Sequence, residues 1–367
     1  MKLRYKVLNG FLIVLVILLA ALALTLSYNS PCKPAADIAN GSTPMQAIVY
    51  SCYGSPEVLT LEKVAKPIPG DEEVLVKVQA ASVNPLDWHY MRGSPYVMRL
   101  MSGIGAPEDH SFGVDFAGTV ESIGSKVTKF KPGDEVFGGG SGAFGEYVVL
   151  GESRALAMKP ANMTLEQAAS LPIAAISALQ ATRDAGKIRP GMKVLVNGAS
   201  GGVGTFAVQI AKSFGAEVTG VCSTRNVELV RSLGADHIVD YKREDYTEGD
   251  LQYDLIIDNV GNHSPSANRR AMTPDGILVM VGGPDGNWIG PLVRPLQAAV
   301  LSPFVDQEFV LFLGAVNQAD LEILAELGES GKIFPVIDRR YTLEDVPEAI
   351  RYSESGRARG KIIIEVE

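Results

Sequence analysis

The stretch from Met192 to Gly215 constrains this chain more than any other. It reads MKVLVNGASGGVGTFAVQIAKSFG. A short apolar run, VLVN, feeds the turn GASGGVG, and the turn feeds an amphipathic run, TFAVQIAKSFG, that closes at Gly215. A dinucleotide fingerprint spaces its glycines GxGxxG, and that frame begins here at Ala199, giving Ala199, Gly201 and Gly204. The frame lacks its first glycine, but Gly198, one residue earlier, can serve the tight turn. Such a turn is weak evidence alone, so its flanks decide. A strand that feeds a helix N-terminus offers unpaired N–H groups and a dipole suited to a pyrophosphate. A glycine-rich turn with no ligand is the minority reading.

The surrounding pattern supplies that context. From Met45 to about Ala157, short alternating or apolar runs such as QAIVYS, VLVKVQAASV and EYVVL are broken by PIPG, KPGD and GGGSG, which reads as an all-β region. From about Leu165 to Pro284, helical segments alternate with the buried-strand runs MKVLVNG, AEVTGVCS, ADHIVDY, YDLIIDNV and GILVMVG, a βαβ pattern that predicts a parallel sheet. The tail from about Ser302 reads as a helix, ADLEILAELGES, a strand-like FPVIDRRY, a short helix with EDVPEAIRY, and a closing strand, KIIIEV.

With 367 residues, 46% hydrophobic and 20% charged, the chain is long enough for two ordinary domains and far from disordered composition. A net charge of −9 argues against a nucleic-acid surface. Cys32, Cys52 and Cys222 stand alone, without a CxxC pair or a disulfide framework, which makes structural zinc and a redox dithiol poor expectations. At the N-terminus, Lys2, Arg4 and Lys6 precede about 20 uncharged residues ending in FLIVLVILLAALALTL, the length that crosses a bilayer. A single uncleaved membrane anchor is expected, with a cleaved signal peptide left open, followed by the linker SYNSPCKPAADIANGSTP. The positive-inside rule then places the body away from the cytoplasm.

The end of the second βαβ strand bears on the cofactor. NAD-binding versions place an Asp or Glu there for the ribose 2′-OH. This chain has Ser223, Thr224 and Arg225, two hydroxyls and a guanidinium that suit a 2′-phosphate. NADPH is therefore the expected cofactor, and the missing acid is the stronger half of the case. It conflicts with a body outside the cytoplasm, where NADPH is scarce, and the membrane side stays unassigned.

From Met45 to the C-terminus the chain resembles the zinc-independent quinone oxidoreductases of the medium-chain dehydrogenase/reductase superfamily. The resemblance runs through VNPLDWHYMRG at 83–93, GVDFAGTVESIGSKV at 113–127, GDEVFG at 133–138 and GASGGVG with AVQIAKSFGAEV. SLPIAAISALQATRD, CSTRNVELVRSLGAD, PVIDRRY and GRARGKIII bring it nearest the reticulon-interacting mitochondrial branch. The resemblance implies an α/β fold: a GroES-like β-rich catalytic domain at 45–164, a Rossmann doubly wound parallel sheet at 165–301, and a segment at 302–367 completing the catalytic domain. Ahead of them stand the expected transmembrane helix at 1–28 and linker at 29–44.

The resemblance also implies roles. Asn84 and Val114 occupy the positions of a Cys and a His that ligate catalytic zinc in the superfamily's alcohol dehydrogenases, so no zinc is expected. Asn84 is placed beside the nicotinamide and substrate. Ser200, Gly201, Gly202, Val203, Ser223, Arg225 and Tyr241 match positions that hold the dinucleotide, as do Ala358 and Arg359 in GRARGK, where Arg357 replaces a frequent His. His89 and Tyr90 adjoin the active-site motif as candidate proton donors, with water as the alternative. For Trp88 and Cys222 structural roles are favoured, packing at the domain seam and a small buried side chain, while for Asp115 bonding to backbone or a neighbouring Arg is at least as expected as a chemical role.

Two readings follow. One is a membrane-tethered NADPH-dependent reductase of quinones or activated alkenes and carbonyls, acting on a small hydrophobic electrophile. The other is a tethered NADPH-binding scaffold with little turnover. The expected partners are the bilayer and the small substrate, with a homodimer left open. The loop SPYVMRLMSGIGAPEDHS at 94–111 is expected to border the substrate entrance.

Overall fold

The computed structural model describes residues 2–33, 41–284, 286–288 and 290–366. Strands β1 (Pro44–Val49) and β2 (Thr60–Ala65) form an antiparallel pair. Strands β3 (Glu73–Val83), β4 (Asp115–Ile123), β5 (Glu135–Gly139), β6 (Tyr147–Gly151) and β7 (Leu156–Met158) follow, joined antiparallel in one sheet. The chain then builds a second, wholly parallel sheet. It contains β8 (Lys193–Asn197), β9 (Glu217–Cys222), β10 (His237–Asp240), β11 (Tyr253–Asp258), β12 (Met272–Met280) and β13 (Glu308–Leu311), in the order β10-β9-β8-β11-β12-β13. Finally β14 (Ile337–Thr342) and β15 (Lys361–Glu365) return to the first sheet, where β15 lies against β3.

The parallel order is that of a doubly wound dinucleotide-binding sheet, with its reversal between neighbours β8 and β11. The hydrophobic runs of β8, β9 and β11 are buried along their length because helices cover both faces. The helix Gly202–Ser213 follows β8 and is buried all round from Gly204 to Ala211, between the sheet and the helix Pro172–Gln180. The short edge strand β13, EFVL, carries only four half-exposed or exposed residues, so the sequence pattern does not mark it.

The N-terminus departs from expectation. The chain opens with a helix, Lys2–Ser27, but among the described residues no helix is long and apolar enough to cross a membrane. The expected single-pass anchor and the membrane localisation are corrected accordingly. The end of this helix is also docked on protein. Leu26 is buried, and the Arg99 guanidinium donates to Leu26 O at 2.8 Å and Tyr28 O at 2.9 Å. The chain continues along the body, with Ser30 N donating to Gly105 O and Lys33 N to Ser51 Oγ.

A disulfide joins Cys32 to Cys52, which corrects the reading of both as isolated thiols. The pairing has no motif because tertiary contact makes it: residues 28–33 run back over the segment after β1. Cys222 is the free, buried thiol expected from its strand.

Candidate active site

The glycine turn has the geometry its sequence suggests. Gly198 holds φ at 76°, a conformation that favours glycine and turns the chain out of β8. A Cβ on Gly204 would lie 2.1 Å from Gly198 O, so this glycine lets the helix pack on the turn. Gly201 is different: a Cβ there would stand 3.5 Å from its nearest neighbour, Gly198 O, and its φ of −85° suits any residue. A Cβ on Gly202 would likewise meet only ordinary contacts, 3.5 Å from Lys361 Cδ, and the two glycines lie where Gly202–Ser213 begins, beside backbone N–H groups that lack helical partners. Val203 packs inward on the core. Ser200 Oγ accepts from Asn226 Nδ2 at 2.8 Å, and Ser200 O accepts from Gly360 N at 3.0 Å.

Past β9, Ser223 leads into Thr224 and Arg225. Arg225 Nη2 donates to Arg357 O at 3.0 Å, so the structure brings the guanidinium to the GRARGK segment. Ala358 packs on the first domain's core, and Arg359 N donates to Asp338 Oδ2. Tyr241 is 53% exposed at the same edge. Sequence reasoning did not single out Asp240, which ends β10 next to Cys222. Its carboxylate accepts from Thr224 Oγ1 at 2.6 Å and from Lys242 N, and the Thr224 bond leads in holding it below the usual carboxylate range.

Close to the glycine turn, on the first domain, lies a buried polar cluster. Asn84 precedes the helix Pro85–Arg92 and is 2% exposed. Its Nδ2 donates to Asp115 Oδ2 at 2.9 Å and to Ser82 O at 3.3 Å, while its Oδ1 accepts from Lys361 Nζ at 2.6 Å. Asp115 also accepts from Ile173 N and Ser82 Oγ, so its expected structural role holds, with a lysine rather than an arginine as the cation. Burial pushes the Asp115 carboxyl up and the Lys361 ammonium down, and each opposes the other's shift. Sequence reasoning misses Lys361, which heads the apolar run Ile362–Ile364 of the last strand. It also passes over Asp87, which lies three residues after Asn84, a capping-box spacing, and accepts from Asn84 N at 2.7 Å.

Asp87 is wholly buried, its Oδ1 has no partner, and burial raises its carboxyl to about 8. An unfolded aspartate titrates near about 4. Between those values the unfolded chain gives up a proton that the folded chain keeps, so this group's contribution to stability falls as pH rises from about 4 to 8. The steepest slope is about 1.4 kcal/mol per pH unit. Asp87→Asn keeps an acceptor for Asn84 N and is expected to flatten the stability profile across that window. Parallel wild-type and variant profiles in denaturant titrations would refute it.

His89 and Tyr90 sit farther along Pro85–Arg92. His89 Nδ1 is 2.7 Å from Ser94 O, an atom that only accepts, so Nδ1 carries the proton and commits it to backbone. Tyr90 is half-buried. Trp88 packs on the first domain's core and stacks on His89 with ring centroids 3.8 Å apart. The loop after this helix reaches the parallel-sheet domain: Tyr96 N donates to Asn287 O, Ser94 Oγ donates to Asn287 Oδ1, and the Tyr96 ring meets Trp288 edge-on.

A glycine turn at the switch point of a doubly wound sheet, facing a buried polar cluster on a β-rich domain, defines a two-domain dehydrogenase or reductase. Family models agree: residues 70–160 match the alcohol dehydrogenase GroES-like domain and residues 233–364 the zinc-binding dehydrogenase domain. The chain is 35% identical to the mitochondrial NAD(P)H oxidoreductase RTN4IP1 of Homo sapiens, over 89% of this chain and 90% of that one. It is 32% identical to a chloroplast envelope quinone oxidoreductase homolog of Arabidopsis thaliana, over 88% and 98%. Among solved structures, the quinone oxidoreductase from Coxiella burnetii superposes with a TM-score of 0.78 at 29% identity, covering 89% of this chain and all of that one. The chain belongs to the medium-chain dehydrogenase/reductase superfamily, in its quinone oxidoreductase-like group.

The zinc that the second domain's name implies does not fit the residues present. Asn84 spends its oxygen on an ammonium that would repel a dication, and Val114 offers no donor.

Proposed function

We propose that this oxidoreductase uses NADPH, without zinc, to pass a hydride to a quinone or an activated alkene or carbonyl compound. The observation that carries the cofactor choice is the meeting of Arg225 with the Arg357 backbone at the end of β9, where no acid projects from the strand. Asp240, the acid nearby, is taken up by Thr224 and Lys242. Ser200, Gly201, Gly202 and Val203 would take the pyrophosphate; Ser223, Arg225, Tyr241, Ala358 and Arg359 would take the adenosine end.

When bound, the dinucleotide supplies the hydride, and an electron-poor acceptor needs little beyond positioning and a proton. Asn84 borders the nicotinamide side of the cleft in this reading, and His89 and Tyr90 flank the acceptor's approach. With the His89 Nδ1 proton held on Ser94 O, a proton from His89 would come from Nε2, and water is the alternative source.

NADPH oxidation followed by absorbance, with a small quinone and an enone as acceptors and NADH as control, tests the reading. Turnover is expected with NADPH in preference to NADH. Loss of a charge-assisted bond in Arg225→Ala is expected to weaken NADPH about 10- to 100-fold and leave NADH nearly unchanged. Equal losses for both dinucleotides would sink the cofactor assignment, and tight NADPH binding without turnover would turn the reading to a binding protein.

A further inference from the structure

Lys361 is 2% exposed and Asp115 wholly buried, an ion pair in the middle of the molecule. Such pairs are poor stabilisers, because well-packed apolar residues serve as well or better. The lysine's contacts suggest another use. Its Nζ reaches Asn84 Oδ1 at 2.6 Å, Val83 O at 3.2 Å and Asp115 Oδ2 at 3.5 Å. Asn84 therefore has an ammonium at its oxygen and a carboxylate at its nitrogen. A flipped amide would set NH2 against the ammonium and oxygen against the carboxylate, so only one orientation is compatible with both neighbours.

The residue before the lysine is tied to the glycine turn. Gly360 N donates to Ser200 O, Gly360 bridges Gly201, and the Lys361 Cδ lies 3.5 Å from where a Cβ on Gly202 would be. One residue thus spans the glycine turn and Asn84.

We propose that Lys361 is a positioning residue for hydride transfer: it holds the Asn84 amide in a single orientation and couples that orientation to the glycine turn. This rests on the reductase reading, in which Asn84 borders the nicotinamide.

The test uses full-length Lys361→Met and the charge-neutral double variant Asp115→Asn/Lys361→Met, which guards against misfolding from an unpaired buried carboxylate. In both, kcat is expected to fall about 30- to 100-fold, the loss typical of a misplaced reacting geometry, with the KM for NADPH within about threefold of wild type. The Asn84 side-chain amide protons, followed by NMR, are expected to exchange with solvent at least about tenfold faster. Wild-type kcat in the folded double variant would overturn the proposal and leave Lys361 a structural residue. If wild type itself shows no turnover, the reductase reading fails separately, and amide exchange alone then decides whether Lys361 holds Asn84: unchanged exchange overturns it.

Discussion

Arg99→Met is expected to cost the protein on the order of 3 to 5 kcal/mol and to release the N-terminal helix from the body. Arg99 is 1% exposed and makes no ion pair among the described residues. Its donors go to four backbone carbonyls instead: Nε to Gly93 O, Nη1 to Leu26 O and Tyr28 O, and Nη2 to Arg92 O. Two of these lie where Lys2–Ser27 ends and two where Pro85–Arg92 ends, so the cation sits at the negative ends of two helix dipoles. The Tyr53 and Tyr96 rings cover it at 4.5 and 4.4 Å. Methionine fills much of the volume but satisfies none of the carbonyls. Each buried orphan costs about 1 to 3 kcal/mol, less where water can enter. Denaturant unfolding of the full chain reads the loss, and limited proteolysis near residues 28–33 reads the release. A variant as stable and as resistant as wild type would mean the contacts carry no net energy.

The same contacts show why hydropathy misreads the N-terminus. Summed along the first residues it registers apolar length, and a uniformly apolar stretch reads as a membrane span. What decides the matter at the far end of the helix is an arginine some seventy residues away that binds backbone oxygens, and backbone oxygens leave no trace in sequence. Cys32 and Cys52 are opaque for a similar reason: their twenty-residue separation acquires meaning only when the chain doubles back. Local pattern is enough where burial is local. The runs MKVLVNG, AEVTGVCS and YDLIIDNV contain β8, β9 and β11, overshooting their ends by a residue or two, because parallel strands covered on both faces are largely apolar. The buried cluster is half legible. Asn84 and Asp115 lie in recognisable motifs, but Lys361 enters from the last strand, and nothing local marks a lysine as buried beside an aspartate more than two hundred residues earlier.

The glycines of the turn separate folding from binding, and the separation can be measured. Gly204→Ala would set a Cβ 2.1 Å from Gly198 O and 2.9 Å from Ala199 Cα, both backbone atoms that cannot rotate away. The helix Gly202–Ser213 would have to lift from β8, opening the core around Phe206 and Val208. Little folded protein is expected, or a loss of several kcal/mol in line with other overpacked cores. Gly201→Ala meets no such obstacle, because its Cβ would make only an ordinary 3.5 Å contact with Gly198 O and its backbone conformation is ordinary. That variant should fold and melt within a few degrees of wild type. If a pyrophosphate lies against the helix N-terminus, the added methyl occupies its approach, and NADPH affinity should fall by about 100-fold or more. Calorimetric titration with NADPH and thermal unfolding, run on the same two variants, tell the cases apart. A Gly201→Ala protein that binds NADPH as wild type does would move the dinucleotide off this turn, however well the fold supports it.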